Sequence, residues 1–213
     1  MYFETEDSMK ASWKYTFKYP DTDGDIAEGD ENFEYIKDYV NTAWNTLSDG
    51  TYESYIDVDS FAKWLIAHDI LGSKDWAGSN IYLSKYDQTD TSKLQMETPW
   101  DFDTIYSMNE AWSNIHIVKG FFFPFLFANT NKAFVAQYKQ KWADVKDSVW
   151  ADIKTDLNAF AAETEEGLNI ARKLDAEKYG ITYKTVSEDI ADAENWFSSR
   201  LTWLNTQITA LSE

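Results

Sequence analysis

The sequence has no cysteine, three prolines and two histidines among 213 residues. Without cysteine there is no disulfide, no thiolate nucleophile and no Cys-based zinc site, so the fold must rest on a packed core. That leaves the compartment open, because a chain of this length needs no covalent staples inside or outside a cell. Positive charge is scarce as well: 19 Lys and Arg stand against 37 Asp and Glu, a formal charge of −18. Phosphates would be repelled over most of the surface, which argues against a nucleic-acid or anionic-membrane partner. An acidic chain instead suits divalent cations or a basic partner, such as a phospho-acceptor segment rich in Lys or Arg. Long apolar runs are also missing. The most apolar stretch, Gly120 to Ala128, is too short and too broken by Pro124 to span a bilayer, and is expected as a buried segment. The start, Met1 to Asp7, is acidic and has no apolar core of a signal peptide.

Aromatic residues are the abundance, at 17% with 10 Trp. Rings in that number fill a helical core, with a sugar-stacking surface as the sharper alternative. Tyr2 to Glu4 and Ala11 to Tyr19 alternate aromatic and polar residues, which predicts strands. The acidic loop that follows, with Asp21, Asp23, Gly24 and Asp25, resembles the opening of a calcium loop. A full EF-hand would need flanking helices and a bidentate Glu at position 12, and neither is in register. Asp30 to Leu47 has apolar residues at helical spacing and should end near Gly50. A second helix is expected from about Ser60 to Ile70, with Asp57 and Asp59 as N-cap candidates and Phe61, Trp64, Leu65 and Ala67 inward. His68 lies in it, expected as a polar helix-face residue or a supporting one. His116 has no metal-spaced partner, which argues against zinc. From Lys132 onward the pattern is helical: Ala133 to Trp142, Val145 to Phe160, Glu163 to Lys178, and Ser187 to Leu211. The expected class is α+β, predominantly α-helical, in one domain over residues 1–213 with no repeat and no linker.

Chemistry concentrates between Ile66 and Asp103. Asp75 and Asn80 are five positions apart in a loop composition, the D-x-x-x-x-N spacing of a kinase catalytic loop, where the Asp accepts a hydroxyl proton and the Asn holds a metal. Ile81 to Tyr86 and Leu94 to Met96 predict a hairpin around a polar turn. Its end, Pro99-Trp100-Asp101-Phe102-Asp103, returns carboxylates toward the loop the chain has just left. The order Asp, Asn, hairpin, Asp-Phe is that in which a kinase assembles its base and metal ligands. Thr104 to Asn114 would then be an irregular segment in the activation-loop position.

The runs Tyr55 to Phe61, Asp75 with Ser79 to Tyr82, and Pro99 to Asp103 resemble the CotH family, the spore-coat protein H kinases and their bacterial surface relatives. Phe134 to Trp142 and Asn195 to Leu204 are similar to that family's helical tail. The resemblance implies an atypical kinase-like fold whose helical lobe carries the site on a short β-hairpin. It implies Asp75 as catalytic base, Asn80 and Asp101 as ligands of magnesium and ATP, and Asp103 as a further metal ligand where a typical kinase has Gly. It also implies ATP and a protein Ser or Thr as substrates and an extracytoplasmic or cell-surface location. Asp69 stands where the family usually has Glu. No Gly-rich phosphate loop is visible, so the nucleotide lobe is expected upstream and the chain reads as the carboxy-terminal part of such a domain.

Two other functions compete. A non-catalytic module of a cell-surface or polysaccharide-degrading assembly would use the acidic loops and rings to bind a partner or a glycan. Glycoside hydrolysis by Asp101 and Asp103 fits less well, since residues i and i+2 in a strand point the same way and a hydrolytic pair must flank the sugar.

Overall fold

Asp30 begins the first long helix by capping it: its carboxylate accepts the N–H groups of Asn32 and Phe33 at 2.9 and 3.4 Å. In the computed structural model, which describes residues 2–4, 14–16, 29–73, 80–105, 112–113 and 120–212, this helix is α1 (Glu31–Asn45). Before it, β1 (Tyr2–Glu4) and β2 (Lys14–Thr16) pair antiparallel with Tyr2 opposite Thr16. These strands lie inside the two alternating stretches.

A one-turn 3₁₀ helix, Tyr52–Ser54, leads into α2 (Val58–Leu71), which starts two residues earlier than its spacing predicts because Asp57, not a later residue, caps it through the Ser60 N–H at 3.1 Å. Its inward face is wider than the predicted stripe. Ile66, His68, Asp69 and Ile70 are buried along with Phe61, Trp64 and Leu65, whereas Ala67 is only half-buried. Gly72 ends the helix at φ 62°, a left-handed geometry that suits glycine, and its N–H returns to the His68 carbonyl at 2.8 Å.

The predicted hairpin is present but short: β3 (Leu83–Ser84) and β4 (Gln95–Met96) pair antiparallel, Leu83 opposite Met96. Leu94 instead pairs outward, its N–H donating to the Tyr55 carbonyl and its carbonyl accepting from the Asp57 N–H, both at 2.8 Å. The return strand is thereby tied to the entry of α2.

The Phe run forms α3 (Phe123–Ala128) and is buried as expected, with Phe122, Phe123 and Leu126 inaccessible. The Phe123 ring stacks on Trp64 at 5.7 Å, and Phe61 meets Phe122 at 5.6 Å. α4 (Ala133–Val145) follows. Buried Tyr52 fixes its start, donating its hydroxyl to the Asn131 carbonyl at 2.9 Å and accepting the Phe134 N–H at 3.0 Å. Phe61, Trp64, Phe122, Phe123 and Tyr52 are therefore core rings and not a surface platform.

The chain divides into two compact units, Met1–Ile105 with Ile115–Lys141 and Leu211–Glu213, and Tyr106–Asn114 with Trp142–Ala210. The second holds α5 (Val149–Tyr179) and α6 (Val186–Thr209). α5 is one continuous helix where two shorter ones are expected on either side of residues 161–162. Ala161 and Ala162 carry no breaking signal, and Gly167 is accommodated within the helix. Gly180 at φ 65° ends it. α6 starts one residue before the expected Ser187, because Thr185 and Glu188 form a capping box. Arg200, unremarked in the sequence, is buried beside the rings of Trp196 and Trp203 at 5.8 and 5.3 Å and donates to the Trp112 carbonyl at 2.8 Å.

Candidate functional site

α2 delivers the chain to residues 74–79, which lie outside the described residues, and with them Asp75, the expected base. His116, the Asp21 to Asp25 loop, and residues 106–111 and 114 of the Thr104 to Asn114 segment also lie outside them. Asn80, where the description resumes, is buried at 3% exposure. Two residues on, the Tyr82 carbonyl accepts the Glu97 N–H at 2.9 Å, which extends the hairpin ladder toward Asn80 on one side and toward Asp101 on the other. Met96 donates its N–H to the Ser60 hydroxyl at 3.1 Å, anchoring the same end on α2.

The Pro99 to Asp103 turn is held by alternate rings. Trp100, largely exposed, meets Tyr82 edge-on at 6.2 Å, and Phe102 reaches back to His68 at 4.8 Å. Between those rings Asp101 is exposed, with φ at 58°, a left-handed backbone adopted mainly by glycine, asparagine and aspartate. Asp103 is exposed in the turn that follows. Asp101 is thus presented on a constrained backbone by two neighbours whose rings pack on elements before and after Asn80.

His68 is the supporting residue that sequence reasoning misjudged. It is buried, not on a polar face, with Trp64 at 3.9 Å, and neither ring nitrogen has a hydrogen-bond partner. Burial alone pushes its pKa down to about 4, so it is a neutral aromatic plug at neutral pH. The clue available beforehand was its position between Ala67 and Asp69 in an otherwise apolar run, where no charged partner follows at helical spacing. Asp69, at the position where the family usually has Glu, is buried and accepts the Tyr138 hydroxyl at 2.6 Å.

The other acidic pair has structural work. Asp57 caps α2. Asp59 is ion-paired with Lys141 at 2.7 Å and Lys63 at 2.6 Å and also accepts from Gln137, and the two lysines hold its pKa down to about 2. It borders an open groove of about 630 Å³ that also includes Glu53, Lys93 and Gln140. The i and i+4 spacing of Gln137 and Lys141 on α4 was the available sign that they share a face.

Asn80, Asp101 and Asp103 offer only oxygen donors, the ligand type magnesium prefers, so their chemistry fits that ion. Among the described residues no group of three or more His, Cys, Asp and Glu side chains is placed to hold a metal. The chain belongs to the CotH kinase protein family, which matches residues 2–204, nearly its whole length. No curated protein and no solved structure matches it.

Proposed function

We propose that the chain is a CotH-type phosphotransferase that moves the terminal phosphoryl group of ATP onto a Ser or Thr hydroxyl of a protein. Asp75 takes the proton from that hydroxyl as its oxygen bonds to phosphorus, and the bond to the bridging oxygen breaks to release ADP. Asn80, Asp101 and Asp103 would hold magnesium, which would supply the positive charge the phosphates need. The ion, when bound, neutralises charge that a protein with 37 acidic residues would otherwise repel. The strongly acidic surface favours an acceptor segment rich in Lys or Arg. An extracytoplasmic location agrees with the family resemblance.

The observation that carries this reading is the constrained, exposed Asp101, flanked by Trp100 on Tyr82 and Phe102 on His68. Family membership supports it independently. ATP titration of the full-length protein, with magnesium and with a chelator, tests it. Binding should need the metal, and phosphate transfer to a basic Ser/Thr peptide should vanish in Asp75→Asn. Transfer undiminished in Asp75→Asn removes the assignment. Glycan binding with no ATP binding would replace it with a non-catalytic surface module.

A further inference from the structure

The second unit carries an unpartnered face. α5 meets α6 through one side only: Asn169 accepts the Val186 N–H at 2.9 Å, Arg172 pairs with Asp189 at 2.7 Å, and Lys154 pairs with Glu194 at 3.5 Å. At 3.6 residues per turn, Phe160, Gly167, Ile170 and Leu174 fall on the opposite side. Phe160, Ile170 and Leu174 are 52, 56 and 60% exposed, so a helix of 31 residues buries none of its own side chains fully. Such apolar residues on one stripe are unusual in a helix that faces only water.

Two features identify what covers them. Gly167 sits in mid-helix, where glycine weakens a helix relative to alanine, and a side chain there would meet nothing within 4 Å. Among the described residues nothing fills that space, and a second helix backbone crossing there would use it. Charge is also split along the helix. Residues 149–166 hold Asp152, Asp156, Glu163, Glu165 and Glu166 against Lys154, whereas residues 168–179 hold Arg172, Lys173 and Lys178 against Asp175 and Glu177. The two halves are oppositely charged, −4 from five acids and one base, +1 from three bases and two acids. A strand of helix with this polarity complements its own reverse.

We infer that α5 is a homodimer surface, pairing antiparallel with α5 of a second copy about a two-fold axis at Gly167. Residues equally far from Gly167 then face each other. Phe160 and Leu174 are each seven positions from it and meet across the axis, and Asp156 and Lys178, each eleven away, form an ion pair at either end. Seven and eleven residues are close to two and three whole turns, so both pairs stay on the seam. The glycine allows close approach at the centre. This inference is independent of the phosphotransferase reading, since none of its residues belongs to that site.

Sedimentation equilibrium on the full chain tests it. The wild type should move from one-chain to two-chain mass with rising concentration. Leu174→Lys should leave it monomeric with its circular dichroism unchanged. Gly167→Leu should raise helix content and melting temperature while weakening the dimer, a split that a purely structural role for the glycine would not give. Asp156→Lys and Lys178→Asp should each weaken association at least tenfold, and the double swap should restore it. A monomer at all concentrations, a dimer that survives Leu174→Lys, or charge reversals that do not compensate would each overturn the inference.

Discussion

The imidazole of His68 and the ring of Phe102 lie 4.8 Å apart, joining α2 to the turn that presents Asp101. Because the buried imidazole has a pKa lowered to about 4 from 6.5, the unfolded chain takes up a proton across that window that the folded chain refuses. The contribution to stability is therefore full above about pH 6.5 and is lost as pH falls toward 4, on the order of 3 kcal/mol in all. His68→Phe keeps a ring between Trp64 and Phe102 and removes the titration. Urea midpoints for wild type and variant should diverge as pH falls from neutral to about 4.5, with the variant the less acid-sensitive. Parallel curves would mean that His68 titrates alike in the folded and the unfolded chain.

Tyr138 and Asp69 make a second tie between α4 and α2. The hydroxyl donates to a buried carboxylate at 2.6 Å, so Tyr138→Phe deprives that carboxylate of one donor without changing the ring's packing. A loss of about 1–3 kcal/mol is expected, the cost of weakening the satisfaction of a buried acceptor. Chemical denaturation at neutral pH measures it. A loss within error would show that the other interactions of Asp69 are sufficient.

The helices were legible because their signals are local: the Asp30 cap, the helical spacing of Val40 and Ala43, and Gly72 and Gly180 as left-handed stops. The candidate turn was legible from Trp100 to Asp103 as residue types. What gives that turn its shape was not. The Phe102 contact with His68 spans more than thirty positions, and the positive φ of Asp101 is a tertiary result, since Asp has no strong local preference for it. The Tyr52 hydroxyl at the start of α4 has no sequence pattern, because its partners lie dozens of positions away; Arg200 has its flanking rings at i−4 and i+3, but the Trp112 carbonyl it reaches is 88 positions away. Periodicity also overstated the strands: the Leu94 backbone is drawn to Tyr55 and Asp57 instead of extending β4.

Asp57 and Asp59 look alike in sequence and should behave differently. Asp57 satisfies an N-terminal N–H of α2, so Asp57→Ala should cost about 1 kcal/mol. Asp59 holds two lysines in a partly exposed pair, where solvent and side-chain entropy offset most of the attraction, so Asp59→Asn should cost less than about 1 kcal/mol. The contribution of Asp59 is present above pH 3.8 and lost as pH falls toward 2. Thermal melts at low and high salt separate the two: the cap effect should persist at high salt, and the ion-pair effect should shrink.

Asp101 is the residue at which stability and activity should part. Its φ of 58° is a strained geometry for a side chain that could be relieved by Gly, yet nothing among the described residues explains an aspartate there by packing, since it is exposed. Asp101→Gly should leave stability unchanged or raise it by up to about 1 kcal/mol. The same substitution should weaken magnesium-dependent ATP binding tenfold or more, about 1.4 kcal/mol or above. Asp101→Asn keeps the left-handed backbone and one oxygen but loses the charge, and should give a comparable binding loss without the stability gain. Asp103→Asn, two positions on, should give a smaller loss. Calorimetric ATP titrations of the full-length protein beside thermal melts of the same samples decide it. A destabilised Asp101→Gly that still binds ATP normally would make the aspartate a structural residue and leave the proposed metal position empty of its principal carboxylate.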